Sequence, residues 1–124
     1  MTILQAIAAA DRMEPNDYSV QTKLQWLSVF DGQVRKDVID THCGAPKTPF
    51  CGYDGTTDIE STELLIPAPY DEVYPIYLSM RMHLQNADAG RVELAKIDFE
   101  RAYRSFTDWY NRTHRPRGVR AVKF

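Results

Sequence analysis

The sequence predicts an all-α fold: a small bundle of about four helices, with a long loop between the second and third and an extended basic C-terminal arm. The first observation behind this is the stretch from Val92 to Thr113. There Val92, Ala95, Phe99, Ala102, Phe106 and Trp109 fall alternately three and four apart, forming one stripe along a helix. The second is that most other apolar residues fall into three further segments of helical period, bounded by Pro, Gly or a capping Ser or Thr. The third is size. A chain of 124 residues, 44% hydrophobic and 26% charged, suits a single domain over 1–124, with room for a core but not for a second, catalytic domain.

Thr2 can cap a first helix over TILQAIAAADRM, with Ile3, Leu4 and Ile7 on one face and Pro15 ending it. Ser19 is the expected cap of a longer second helix running towards His42, on which Leu27, Phe30, Val34 and Val38 line one side and Leu24 and Trp26 broaden it. Gly32 in its middle costs about 1 kcal/mol relative to Ala, so either the helix bends there or another backbone packs close. From Cys43 to Thr62 the chain holds three Gly and two Pro among several Asp and Thr, and the helical period is lost. A loop of about 20 residues is longer than a compact domain carries without a purpose. It reads either as a contact loop, with a small hairpin around Tyr53-Asp54-Gly55, or as a mobile insertion.

Glu63 to Pro67 reads as an extended strap. In the third helix Asp71 and Glu72 lie near the start, Pro75 must sit in the first turn or kink it, and Val73, Ile76, Tyr77, Met80, Leu84 and Ala87 form one face. Gly90 marks the short turn into the last helix, so the two form an antiparallel hairpin. That last helix, about 30 Å long, is the expected spine of the bundle, with Phe99, Phe106 and Trp109 buried between helices. Pro116 and Gly118 stop it.

Charge is distributed unevenly. Residues 1–90 carry six Lys and Arg against thirteen Asp and Glu, whereas residues 91–124 carry nine against four. From Arg112 onward, Arg112, Arg115, Arg117, Arg120 and Lys123 face no acidic residue, the pattern of an interaction arm. Val119, Val122 and Phe124 could bury apolar surface in a protein groove, a use that purely electrostatic DNA binding does not have. No apolar run approaches the roughly 20 residues that span a bilayer, and Thr2 to Ala10 lacks the charged start of a signal peptide. A cytosolic protein without a membrane partner is expected, its Cys43 and Cys51 as free thiols.

Chemistry-bearing patterns are weak. His42, Cys43 and Cys51, with His83 or His114, match no common zinc spacing. A Cys43 nucleophile paired with His42 has nothing nearby to lower its pKa. Asp37 with Asp40 and Asp98 with Glu100 read as solvated helix faces, and no phosphate-binding glycine loop is present. The expectation is a protein that is not an enzyme and needs no cofactor. An enzyme built on His42 and Cys43 stays open beside it, and so does a small helical DNA-binding regulator.

Four phrases together carry a resemblance: WLSVFDG at Trp26 to Gly32, GYDG at Gly52 to Gly55, ELLIPAPYDEVYPIYL at Glu63 to Leu78, and FTDWYNRTHRP ending at Pro116. In that order they resemble the small head-tail connector, or adaptor, proteins of long-tailed bacteriophages. The resemblance implies a structural virion protein made in the host cytoplasm. It would form a homo-oligomeric ring, typically of twelve subunits, beneath the portal, continue the DNA channel and dock the stopper or tail-completion protein. The elements that would make its contacts are the loop, with Lys47, Phe50, Tyr53 and Asp54, and the arm, with Arg112, Arg115, Arg117, Arg120, Val122, Lys123 and Phe124. The portal is the expected main partner of the arm, ahead of packaged DNA nearby in the channel.

Overall fold

A computed structural model of the chain describes residues 1–117 and contains, among them, four α-helices and no strand. Helix α1 (Ile3–Met13) starts where the sequence says it should. The Thr2 hydroxyl accepts from Gln5 N, and the Gln5 side chain accepts in return from Thr2 N. Its buried face is Ile3, Ala6, Ile7 and Ala10; Leu4, expected there, is exposed. Ser19 likewise caps α2 (Val20–Val34) by accepting from Thr22 N. Leu24, Trp26, Leu27, Phe30, Val34 and Val38 are all buried as the spacing predicts. At Gly32 the close backbone expected as one alternative is absent; α2 continues through it as helix to Val34 and then widens into a π-helical turn over Arg35–Ile39. Gly32 faces the ring of Phe50, not another backbone, and a Cβ there would meet it at an ordinary 3.9 Å.

A 3₁₀ turn (Tyr70–Glu72) leads into α3 (Val73–Gln85), with Pro75 accommodated in the first turn. This helix, not the last one, is the centre of the bundle: it packs against α1, α2 and α4. Val73, Tyr74, Pro75, Tyr77, Leu78, Ser79, Met82 and His83 are buried, nearly all the way round the axis. The predicted face is corrected accordingly, since Leu84 and Ala87 are exposed and Tyr74, Leu78 and Met82 carry the contacts. A helix covered on every side has no polar face to give it a period, which is why the pattern misled.

Helix α4 (Ala89–Thr113) lies along α3 at the edge of the molecule. Its stripe is real, but it is covered from one side only. Phe106 is its one fully buried residue, while Phe99, Ala102, Tyr103, Trp109 and Tyr110 are half-buried and Leu94 and Ile97 are exposed. The expected burial of Phe99 and Trp109 between helices is therefore corrected: they pack against the core as a flank. The turn into α4 also differs. Gly90 belongs to the first helical turn, Asp88 caps it by accepting from Arg91 N, and the left-handed residue is Ala87 at φ 55°. A left-handed non-glycine residue costs roughly 1–2 kcal/mol, and glycine within a helix costs up to about 1 kcal/mol against Ala. Both sites are open to improvement, as a Cβ on Gly90 meets nothing within 4 Å. Ala87→Gly and Gly90→Ala should each raise stability by about 0.5–1 kcal/mol in thermal melts; a loss in either would contradict this reading of the turn.

Candidate interaction site

The path from Asp40 to Pro69 contains neither helix nor strand, and its contacts begin at a residue the sequence reading passed over. Asp31 follows Phe30 on the core side of α2, and its side chain is fully buried. One carboxylate oxygen accepts from the Tyr74 hydroxyl of α3 at 2.7 Å. The other accepts from the Tyr53 hydroxyl at 2.5 Å and from Leu65 N at 3.1 Å. The Tyr74 hydroxyl accepts in turn from Ile66 N at 2.7 Å. One carboxylate thus ties α2 to α3, to the loop and to the strap in which Leu64 and Ile66 are buried. Burial pushes the Asp31 carboxyl above its ordinary value, against the pull of these hydrogen bonds, and burial beside Asp31 pushes both tyrosine hydroxyls up as well. The one signal available beforehand was an Asp four residues after Leu27 and three before Val34, on the apolar stripe itself.

Hydrogen bonds fasten the loop at several points along its length. Arg35 donates to the Pro46 and Thr48 carbonyls and to Asp40. Ser28 Oγ accepts from Tyr53 N at 3.0 Å, made possible by Gly52, whose φ is +82° and whose Cβ would sit 2.6 Å from that oxygen. Ile59 and Thr62 carbonyls accept from Leu4 N and Ile3 N, donors that the first turn of α1 leaves unpaired. The fold's own needs therefore account for much of the loop. No hairpin forms at Tyr53-Asp54-Gly55; instead Asp54 O accepts from Thr57 N in a turn whose Asp54 carboxylate accepts from Thr56 N and the Thr56 hydroxyl. Of the four candidate loop residues, Lys47 and Asp54 are exposed, whereas Phe50 and Tyr53 are half-buried against each other and against α2.

The start of the arm is held too. After the last turn of α4, Arg115 O accepts from Cys43 N and Thr41 O accepts from Arg117 N, both at 2.7 Å, around an isolated bridge between His42 and Pro116. His42 is buried, edge-on to Tyr110, with one ring nitrogen 2.6 Å from Val38 O and the other 2.8 Å from Asn111 Oδ1. His114 stacks on Tyr110 at 3.8 Å. Both nitrogens of His42 are thus engaged away from Cys43, and the two exposed cysteines are free. Arg112, Arg115 and Arg117 are exposed. Arg120, Val122, Lys123 and Phe124, and Val119 with them, lie outside the described residues. Among the described residues no group of three or more His, Cys, Asp or Glu could hold a metal ion, and no helix is long and apolar enough to cross a membrane. No family model, curated protein or solved structure matches the chain.

Proposed function

We propose that this chain is a structural head-tail connector subunit of a tailed phage, one copy of a ring, twelvefold by resemblance, beneath the portal. In this reading the ring continues the DNA channel and docks the stopper or tail. The observation that carries it is where the resembling phrases meet. WLSVFDG supplies Asp31, GYDG supplies Tyr53, and ELLIPAPYDEVYPIYL supplies Leu65, Ile66 and Tyr74: the donors and acceptors of one buried knot. FTDWYNRTHRP supplies Phe106, Trp109 and Tyr110, which pack on Tyr70 and His42. Phrases that meet in one buried scaffold support a fold shared with those proteins, and the structural role is proposed on that likeness.

The arm is the proposed portal anchor and the loop a contact with a neighbour. Full-length protein mixed with purified portal-bearing, tailless heads should add a ring under the portal in electron micrographs. Removing 118–124, which spares every hydrogen bond described above, should leave the helical content intact and abolish that attachment. Attachment of the truncated protein at the parent level rejects the arm as anchor; absence of any ring with the parent rejects the connector reading. The exposed arginines of α4 favour one second reading, a small DNA-binding regulator. It requires duplex binding by the free protein with a steep salt slope.

A further inference from the structure

Phe30 of α2, Tyr77 of α3 and Phe99 and Tyr103 of α4 converge on one side of the bundle, with ring centroids 4.6–5.8 Å apart. Above these rings α2 and α4 leave a groove of about 420 Å³. Its floor is aromatic and partly bare: Phe99 and Tyr103 keep a side to solvent, and Val29 on its edge is 54% exposed. Two charged residues mark its ends. At one, the Arg81 guanidinium lies 5.5 Å over the Trp26 ring, and its buried Nε has no hydrogen-bond partner among the described residues. At the other, Asp37 is exposed and makes no ion pair among the described residues. Burial, and then the charge of Asp37, push the Tyr103 hydroxyl across the groove above its ordinary value.

The chain is aimed at the Asp37 end. Because the bridge at His42 and Pro116 is antiparallel, the run from Arg115 to Arg117 passes from Cys43 back to Thr41, towards α2. The Thr41 hydroxyl in turn donates to Asp37 O at 3.2 Å, so Arg117 ends within about one helical turn of Asp37. Residues 118–124 follow, outside the described residues. Extended at about 3.3 Å per residue they reach about 23 Å. The path from Thr41 back along α2 to Val29 is about 18 Å at about 1.5 Å per residue. The reach matches the groove.

We propose that this groove is the docking site of the chain's own residues 118–124, laid back along α2 as an extended segment. Alternate residues of such a segment share a side, which puts Arg120, Val122 and Phe124 together. Arg120 comes first and meets the unpaired Asp37; Val122 and Phe124 then pass onto the floor of Phe30, Tyr77, Phe99 and Tyr103. Lys123 falls on the outward side, away from Arg81. A backbone carbonyl of the segment gives the Arg81 Nε the acceptor it lacks, since a buried donor is ordinarily paired. Order of charge, aromatic floor and length agree on one occupant. The inference goes beyond the connector reading and does not rest on it: there, the arm has to leave this groove before it can meet the portal.

The test is methyl NMR of the full-length chain labelled at methionine. Met80 lines the groove, whereas Met13 is exposed on α1 and Met82 is fully buried. Removing 118–124 should move the Met80 signal and leave Met13 and Met82 in place. Val122→Ser with Phe124→Ser should move Met80 to the truncated position. Asp37→Lys, compared with its own truncation, should show no such difference, and adding Arg120→Asp to it should bring the difference back. If Asp37→Lys loses its helical circular dichroism, Asp37→Asn replaces it, with a smaller difference than in the parent expected. The proposal is overturned by a Met80 signal that is the same with and without 118–124, by arm variants that leave it at the parent position, or by a folded charge exchange that fails to restore the difference. It is overturned too by a signal that moves on dilution, which would make the occupant another copy's arm. Attachment to portal-bearing heads is read separately. A docked arm in a protein that never joins heads keeps the groove and removes the connector reading; heads joined by a protein whose Met80 ignores the arm do the reverse.

Discussion

Replacing Asp31 by Ala should destabilise the domain by about 3–5 kcal/mol, within reach of unfolding it, since domains of this size hold about 5–15 kcal/mol in total. The substitution leaves the Tyr53 and Tyr74 hydroxyls and Leu65 N without their acceptor, and each buried unpaired donor costs about 1–3 kcal/mol. Part of that is offset by relief of the carboxylate's own burial. Denaturant titration of the purified protein measures the difference, and a loss under about 1 kcal/mol would show that the knot is dispensable. The pH dependence has a definite sign. Because burial raises the folded-state pKa of Asp31, its contribution to stability is fully present below the ordinary carboxylate pKa and is lost as pH rises through the raised value. The stability gap between the parent and Asp31→Asn, which does not titrate there, should therefore be widest in acid and narrow as pH rises.

The second large effect belongs to Phe106, where truncation to Ala should cost about 3–5 kcal/mol. It is 1% exposed and is the only fully buried residue of α4, with the rings of Tyr110, Tyr103, Trp109 and Tyr70 centred 5.7–6.5 Å away. Phe99→Ala and Trp109→Ala should cost clearly less, as both side chains keep a side to solvent. Equal melting temperatures for all three variants would mean that α4 is held by its whole stripe and not by this one ring.

The capped starts of α1 and α2 could be read beforehand because Thr2 with Gln5 and Ser19 with Thr22 act within a single turn, where sequence and geometry coincide. The importance of α3 could not, because Tyr74, Leu78 and Met82 are surrounded by apolar neighbours from three other helices, and such a helix shows little contrast between its faces. The aromatic stripe of α4 was easy to see for the opposite reason: half of that helix meets water. The apolar stripe marks Asp31 as buried but not as a junction, since its partners stand 22, 34 and 43 residues away. The same holds for the loop. Its Gly, Pro and Asp residues announce turns, but not that Ile59 and Thr62 carbonyls finish the first turn of α1.

That fastening bears on how cheaply the protein can associate. A surface loop that becomes ordered only on contact sets about 1–2 kcal/mol of backbone entropy per fixed residue against its affinity. Here Arg35, Ser28 and Asp31 hold the loop from within the single chain, and Asp54, Asp58 and Glu60 are carried on that held loop. The entropic cost of ordering the loop is met during folding, so a partner that meets this surface has none of it to offset.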